Sequence, residues 1–175
     1  EWPLAYGIDG QIRVDSQSTV AELDNISIHG IKFSSALVTT DNKENYVKVA
    51  FKGSPKLGQL INLIQDTRIR DYAGSIPSDW EVRGLANLSG SIGIPLSDTP
   101  FLADDIGLEF LISDATIELA NYGIKLEELK GPLDFRSGTG FASEGIRGKL
   151  FGKPANIQIT SSRGTGNERN GDVVI

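Results

Sequence analysis

Residues 80–96 read WEVRGLANLSGSIGIPL. The even positions, Trp80, Val82, Gly84, Ala86, Leu88, Gly90, Ile92, Ile94 and Leu96, are apolar or glycine throughout. The odd positions carry Glu81, Arg83, Asn87, Ser89 and Ser91, and only Leu85, Gly93 and Pro95 depart from polarity. Successive side chains of a strand point to opposite faces, so this pattern describes one strand with an apolar face and a wet face. At about 3.3 Å per residue it would run roughly 55 Å, about three times the length of an ordinary strand. An apolar face that long needs a partner of similar extent: a second sheet, a helix, or an extended ligand.

Shorter alternating runs surround it. Strands are expected at 7–14, 18–23, 25–33, 35–40 and 45–52 before it. After it they are expected at 106–112, 115–122, 124–135, 140–144, 146–152 and 155–161, with a further start at Asp172. Asp15-Ser16-Gln17, Asp41-Asn42-Lys43, Asn121-Tyr122-Gly123 and Arg136-Ser137-Gly138 read as turns between them. Consecutive hairpins of this kind make an antiparallel meander. One segment has a different period. Leu57, Leu60, Ile61 and Ile64 follow Ser54-Pro55 at i, i+3, i+4 and i+7. Serine as N-cap and proline at the first helical position predict a short amphipathic helix over 55–66. Its stripe is expected to cover the apolar face of the sheet. The stretches 67–79 and 97–104 are expected to be irregular connections.

The 175 residues include 20 glycines, a single histidine, no cysteine and no methionine, and the net charge is −6. The acidic balance argues against nucleic acid, whose binding needs a basic surface. Without cysteine there is no disulfide framework, thiolate chemistry or zinc–thiolate site. No run of about 18 apolar residues is present, so any membrane anchor is expected to lie outside this stretch. The absence of methionine is what a segment of a longer chain would show.

An internal echo is visible. Residues 8–16, IDGQIRVDS, match the apolar, glycine and serine positions of residues 129–137, LKGPLDFRS, at a spacing of 121. Val20-Ala21 then aligns with Phe141-Ala142, and Ile26–Gly30 resembles Ile146–Gly152 after a shift of one or two residues. The expected organisation is a single domain of repeating units, 1–125 and a partial 126–175.

A search for chemistry returns little. His29 lies on the polar side of an alternating stretch and has no cysteine or second histidine to work with. Asp104-Asp105 and Glu127-Glu128 are adjacent pairs, which a strand sends to opposite faces. Gly138-Thr139-Gly140 and Gly164-Thr165-Gly166 lack the helix that phosphate binding requires. Asn87-Leu88-Ser89 is formally a glycosylation acceptor, and Trp2 and Trp80 read as fillers of sheet edges. No catalytic residue, cofactor site or metal site is expected, and the chain reads as a non-enzyme.

The phrases Trp80–Ala86, Ile94-Pro95-Leu96, Leu126–Phe135 and Ser143–Pro154 have the form W-x-V-x-G-x-A, x-I-P-L, L-x-x-L-x-G-x-L-x-F and S-x-G-I-x-G-x-L-F-G-x-P. They resemble the periplasmic region of AsmA-like, YhdP-type envelope proteins of Gram-negative bacteria, part of the repeating β-groove superfamily that also includes TamB. The resemblance implies a mainly β protein with a long curved antiparallel sheet. It implies an inner-membrane-anchored periplasmic protein involved in moving phospholipid toward the outer membrane. Phospholipid and neighbouring repeats of the same chain would be the partners, with membrane contact made only by parts absent here. The expected groove lining is Val82, Ala86, Leu88, Ile92, Ile94, Ile106, Leu108, Phe110, Ile117, Leu119, Leu133 and Phe135. Leu57, Leu60, Ile61 and Ile64 would cover it. The alternative expectation is a structural β-repeat that docks envelope proteins and binds no lipid.

Overall fold

The computed structural model describes residues 4–41, 46–67, 80–96, 106–163 and 169–174. Eleven antiparallel strands form one open sheet: β1 (Ala5–Tyr6), β2 (Asp9–Val14), β3 (Ser18–Ile28), β4 (Ile31–Asp41), β5 (Tyr46–Gly53), β6 (Trp80–Pro95), β7 (Ile106–Leu119), β8 (Ile124–Arg136), β9 (Gly140–Leu150), β10 (Lys153–Arg163) and β11 (Arg169–Val174). Each strand from β3 onward pairs with its sequence neighbour, while β1 and β2 share one edge by pairing with opposite ends of β3. Among the described residues the one α-helix, α1 (Leu57–Asp66), lies between β5 and β6 in the chain. The expected mainly β sheet with one short helix is therefore present, and the long strand at 80–96 is a 16-residue β6.

Several expected strands merge. Residues 18–23 and 25–33 do not form two strands that break near position 24; β3 runs to Ile28 and turns at His29-Gly30. The pairs 106–112 with 115–122 and 140–144 with 146–152 likewise form the single strands β7 and β9. The cause is the β-bulge. In β7 the register steps from Ile112↔Ala86 to Asp114↔Leu85, leaving Ser113 as the extra residue. In β9 the register steps from Ile146↔Ile157 to Ser143↔Ile159, setting Glu144 and Gly145 opposite one residue. The strand β8, expected as one strand, also breaks register after Glu127, where Glu128 takes a positive φ of 54°. A bulge interrupts alternation without ending the strand.

Cross-strand rows set the apolar face. Leu88 pairs with Phe110, which pairs with Leu133; Ile92 pairs with Ile106; Leu108 pairs with Phe135, which pairs with Phe141. Gly90 lies between Phe51 and Leu108, where an added Cβ would fall 3.0 Å from the Phe51 ring and 2.7 Å from Leu108. The glycine lets two large neighbours lean across the strand between them. One contiguous cluster joins Ile26, Ile31 and Phe33 of the N-terminal strands to the helix, to Phe110 and Leu129, and on to Ile146 and Ile157. Ile31, Ile106, Leu129 and Phe135 are at most 1% exposed. A ten-residue helix of about 15 Å spans only a few strands at about 4.8 Å each. Burial reaching from β3 to β10 therefore requires the sheet to curl around it.

The helix is held differently from expectation. Ser54 does not cap it; its Oγ donates to Asn87 Oδ1 at 2.8 Å. The N-cap is Lys56, without a side-chain cap. Pro55 is buried and its carbonyl accepts the Ala86 N–H at 3.3 Å, while Lys56 bridges to Leu85. The Ser54-Pro55-Lys56 entry is thus tied to β6 rather than wound into the helix. At the other end Thr67 Oγ1 donates to the Leu63 carbonyl at 2.7 Å. Leu60, Leu63 and Ile64 are buried, whereas Leu57 and Ile61 are half-buried. Leu63 was absent from the expected stripe, although it lies three positions after Leu60.

The internal echo is structural. β3 and β9 have 11 residues each, as do β4 and β10, and both begin 122 positions apart. Each pair turns through two positive-φ residues, His29 (51°) and Gly30 (77°) against Phe151 (50°) and Gly152 (75°). These values mark type I′ turns, whose twist matches that of the strands. The preceding hairpins differ by one residue: Val14 pairs with Thr19, but Phe135 pairs with Phe141. That insertion changes the spacing from 121 to 122. It also corrects the alignment of Val20-Ala21 with Phe141-Ala142, since Phe141 corresponds to Thr19.

Candidate functional site

The candidate surface is the apolar face, and its expected lining divides in two. Ala86, Leu88, Ile106, Phe110 and Phe135 are 7% exposed or less and belong to the core cluster. They pack in the interior of the sheet's apolar face. Val82, Ile92, Ile94, Leu108, Ile117, Leu119 and Leu133 are half-buried. The helix covers one end of the face. Gln59 Nε2 donates to the Gly30 carbonyl at 3.2 Å, and His29 Nε2 lies 3.1 Å from Asp66 Oδ2. His29 is solvent-exposed as expected, but it lies in the β3–β4 turn beside the helix C-terminus rather than within a strand.

Away from the helix the face opens toward the N-terminal edge. Val47 pairs with Ile94, and Val49 with Ile92, and all four are half-buried. Ile12 continues this row through Ala21 and Val38. Ile12 and Val14 are 69% and 70% exposed. Sequence reasoning left out Ile12, Val14, Val47 and Val49 as lining residues. Their alternation was visible, but which apolar residues stay uncovered depends on where the helix and the curl fall.

Concavities occur among the described residues. One of about 430 Å³ lies between α1 and β6, lined by Lys56, Gln59, Ile61, Trp80 and Val82 among others. Another of about 570 Å³ lies on the opposite, polar face, among Ser34, Lys52, Ser89, Glu109, Leu111 and Asp134. Its floor is the wet side of the central strands. We place the candidate site on the apolar face, where half-buried Ile92, Ile94, Val47 and Val49 lead across paired strands to exposed Ile12.

The polar face carries exposed ion pairs: Arg83–Glu81, Lys125–Glu127 and Lys149–Glu128, each at 2.6 Å, and Arg136–Glu109 at 3.6 Å. Exposed pairs contribute little stability each. Glu127 and Glu128 do not point to opposite faces as expected. Leu126 and Leu129 are both buried, so the bulge puts both carboxylates on the outer side. Each has its own lysine. The hydrogen bond and charge of Lys149 hold the Glu128 carboxyl below its ordinary value, and Glu127 raises Lys125 by the same two effects. Gly138-Thr139-Gly140 closes the β8–β9 turn, where the Thr139 N–H meets the Arg136 carbonyl. Trp80 opens β6 at 37% exposure. Trp2, Asp104-Asp105 and Gly164-Thr165-Gly166 lie outside the described residues.

Among the described residues no group of three His, Asp or Glu side chains is arranged to hold a metal ion. Among them, too, no helix is long and apolar enough to cross a membrane. No family model, curated protein or solved structure matches the chain.

Proposed function

We propose that this chain is a lipid-binding β-groove module, a periplasmic segment of an AsmA-like, YhdP-type envelope protein anchored in an inner membrane. In this reading it is not an enzyme. It holds phospholipid acyl chains along its apolar face and passes them toward the outer membrane. One observation supports the reading above others: a curled, open sheet whose cross-strand row Ile92–Val49–Val38–Ala21–Ile12 is apolar throughout and passes from half-buried Ile92 and Val49 to Ile12, which is 69% exposed. Each methylene removed from water there would contribute about 0.8 kcal/mol. Acyl chains match the face in shape and chemistry and need no directional partner.

The second reading, a structural β-repeat without lipid, draws on the deep burial of Leu88, Phe110 and Phe135. The two readings separate experimentally. Purified protein is incubated with phosphatidylethanolamine vesicles and examined by native mass spectrometry and by uptake of fluorescent phospholipid. The lipid reading expects bound phospholipid, lost in Ile92→Asp and Val49→Asp while circular dichroism stays native. Leu88→Asp is expected to unfold the sheet and is not informative about lipid. A folded protein that takes up no phospholipid, or takes it up equally in both variants, establishes the structural reading.

A further inference from the structure

The N-terminal edge carries an inference independent of lipid. Every residue of β2 is exposed, and Ile12 and Val14 present their side chains on the apolar face with β3 on one side and no described strand on the other. The internal repeat indicates what fits there. Over residues 8–16 and 129–137, β2 corresponds to the second half of β8, so Gly10, Ile12 and Val14 correspond to Gly131, Leu133 and Phe135. The two glycines serve the same purpose. A Cβ on Gly10 would fall 2.9 Å from Leu23 Cα, and one on Gly131 would fall 3.0 Å from Ile146 Cα. In the sheet, the outer edge of β8 is covered by β7, through Leu108↔Phe135, Phe110↔Leu133 and Ile112↔Gly131.

We propose that the free edge of β2 is a strand-docking site for an antiparallel segment of β7 type, an extended polypeptide with branched or aromatic side chains at alternate positions. Transferring the β7–β8 register to β2 sets Leu108-, Phe110- and Ile112-like residues opposite Val14, Ile12 and Gly10. The charges favour β2 over β8. In β8 the residue opposite Glu109 is Asp134, a like charge, and Glu109 reaches instead to Arg136. At the corresponding position β2 has Arg13. Gln11 stands where β8 has Pro132, so β2 also keeps a backbone N–H that β8 lacks. An unpaired edge presents backbone N–H and C=O groups to which such a strand can add.

The test titrates the whole protein with a labelled peptide of residues 106–119, IGLEFLISDATIEL, followed by fluorescence anisotropy and hydrogen exchange. Saturable binding is expected, with slowed exchange at β2 amides and none at β11. Ile12→Lys should weaken binding by more than about tenfold; the residue is exposed, so the variant should fold. Arg13→Glu should weaken it about threefold, and a Glu109→Lys peptide should restore that loss. The proposal is overturned if the folded protein shows no saturable binding, or if Ile12→Lys binds as wild type does. It is also overturned if the protein instead forms a dimer that Ile12→Lys dissolves, which would make a second copy the occupant of this edge.

Discussion

Val14 near the end of β2 and Phe135 near the end of β8 hold corresponding places in two hairpins, yet Val14 is 70% exposed and Phe135 1%. The strands that follow have the same lengths and turn through left-handed residues at the same two positions. Local sequence therefore built the same hairpin twice. What differs is the surroundings: β7 lies beside β8, and the Phe141 ring sits 4.8 Å from that of Phe135. Burial in this sheet follows from a strand's position across the meander more than from its own pattern. Truncation measures this most strongly. Phe135→Ala should cost about 3–5 kcal/mol in urea unfolding, since it leaves a cavity in close-packed surroundings. Val14→Ala should change stability by less than about 0.5 kcal/mol. Equal costs at the two sites would mean that the edge is covered in solution.

The glycines sharpen the same contrast. Gly131 has φ +145°, and a Cβ there would lie 2.5 Å from the Gly145 carbonyl oxygen, between two paired strands. Gly131→Ala should destabilise by at least about 1–3 kcal/mol. Gly10→Ala meets the Glu22 carbonyl just as closely. It sits on a strand with one neighbour, which can move away, so its cost should be smaller. The turns come next in size. Phe151 holds φ 50° with its side chain 67% exposed. Phe151→Asn should stabilise by about 0.5–1 kcal/mol, because asparagine tolerates the left-handed region and suits a type I′ turn. His29→Asn should gain less, because it gives up the contact with Asp66.

Much of this contrast could be read from the sequence, up to a definite limit. The alternation of 80–96 and the stripe of Leu57, Leu60 and Ile64 identified the long strand and the helix because each side chain there obeys one period. The Ile8–Ser16 echo exposed the repeat. The period was lost where a bulge put two residues on one face, as at Ser113 in β7 and Glu144-Gly145 in β9, so these single strands read as pairs. The helix entry was misread because Ser54 and Pro55 find partners in Asn87 and Ala86, more than thirty positions away. The division of the lining into buried Leu88 and half-buried Ile92 had no local signal. Both are aliphatic residues on the same face of one strand, and only the curl and the helix distinguish them.

The smallest effect compares how each half fixes a carboxylate. In the first hairpin Asp15 accepts from the N–H groups of Gln17 and Ser18 at 2.7 Å each and from Ser18 Oγ at 3.0 Å. These bonds, the Gln17 N–H first, hold its carboxyl below the ordinary 3.8. In the second, the Lys149 ammonium holds Glu128 below 4.5. Both folded values are depressed, so each group adds stability that is present above its unfolded value and lost as pH falls through the folded one. Asp15→Asn and Glu128→Gln should therefore lower the urea midpoint near neutral pH, with the difference from wild type shrinking toward about pH 3. Salt should tell them apart. The Glu128 contribution comes from an exposed ion pair and should fade as ionic strength rises toward about 1 M. The Asp15 contribution comes from short-range bonds to fixed backbone dipoles and should persist. If both fade together, Asp15 is stabilised by long-range charge rather than by its turn, and the two hairpins are fixed in the same way.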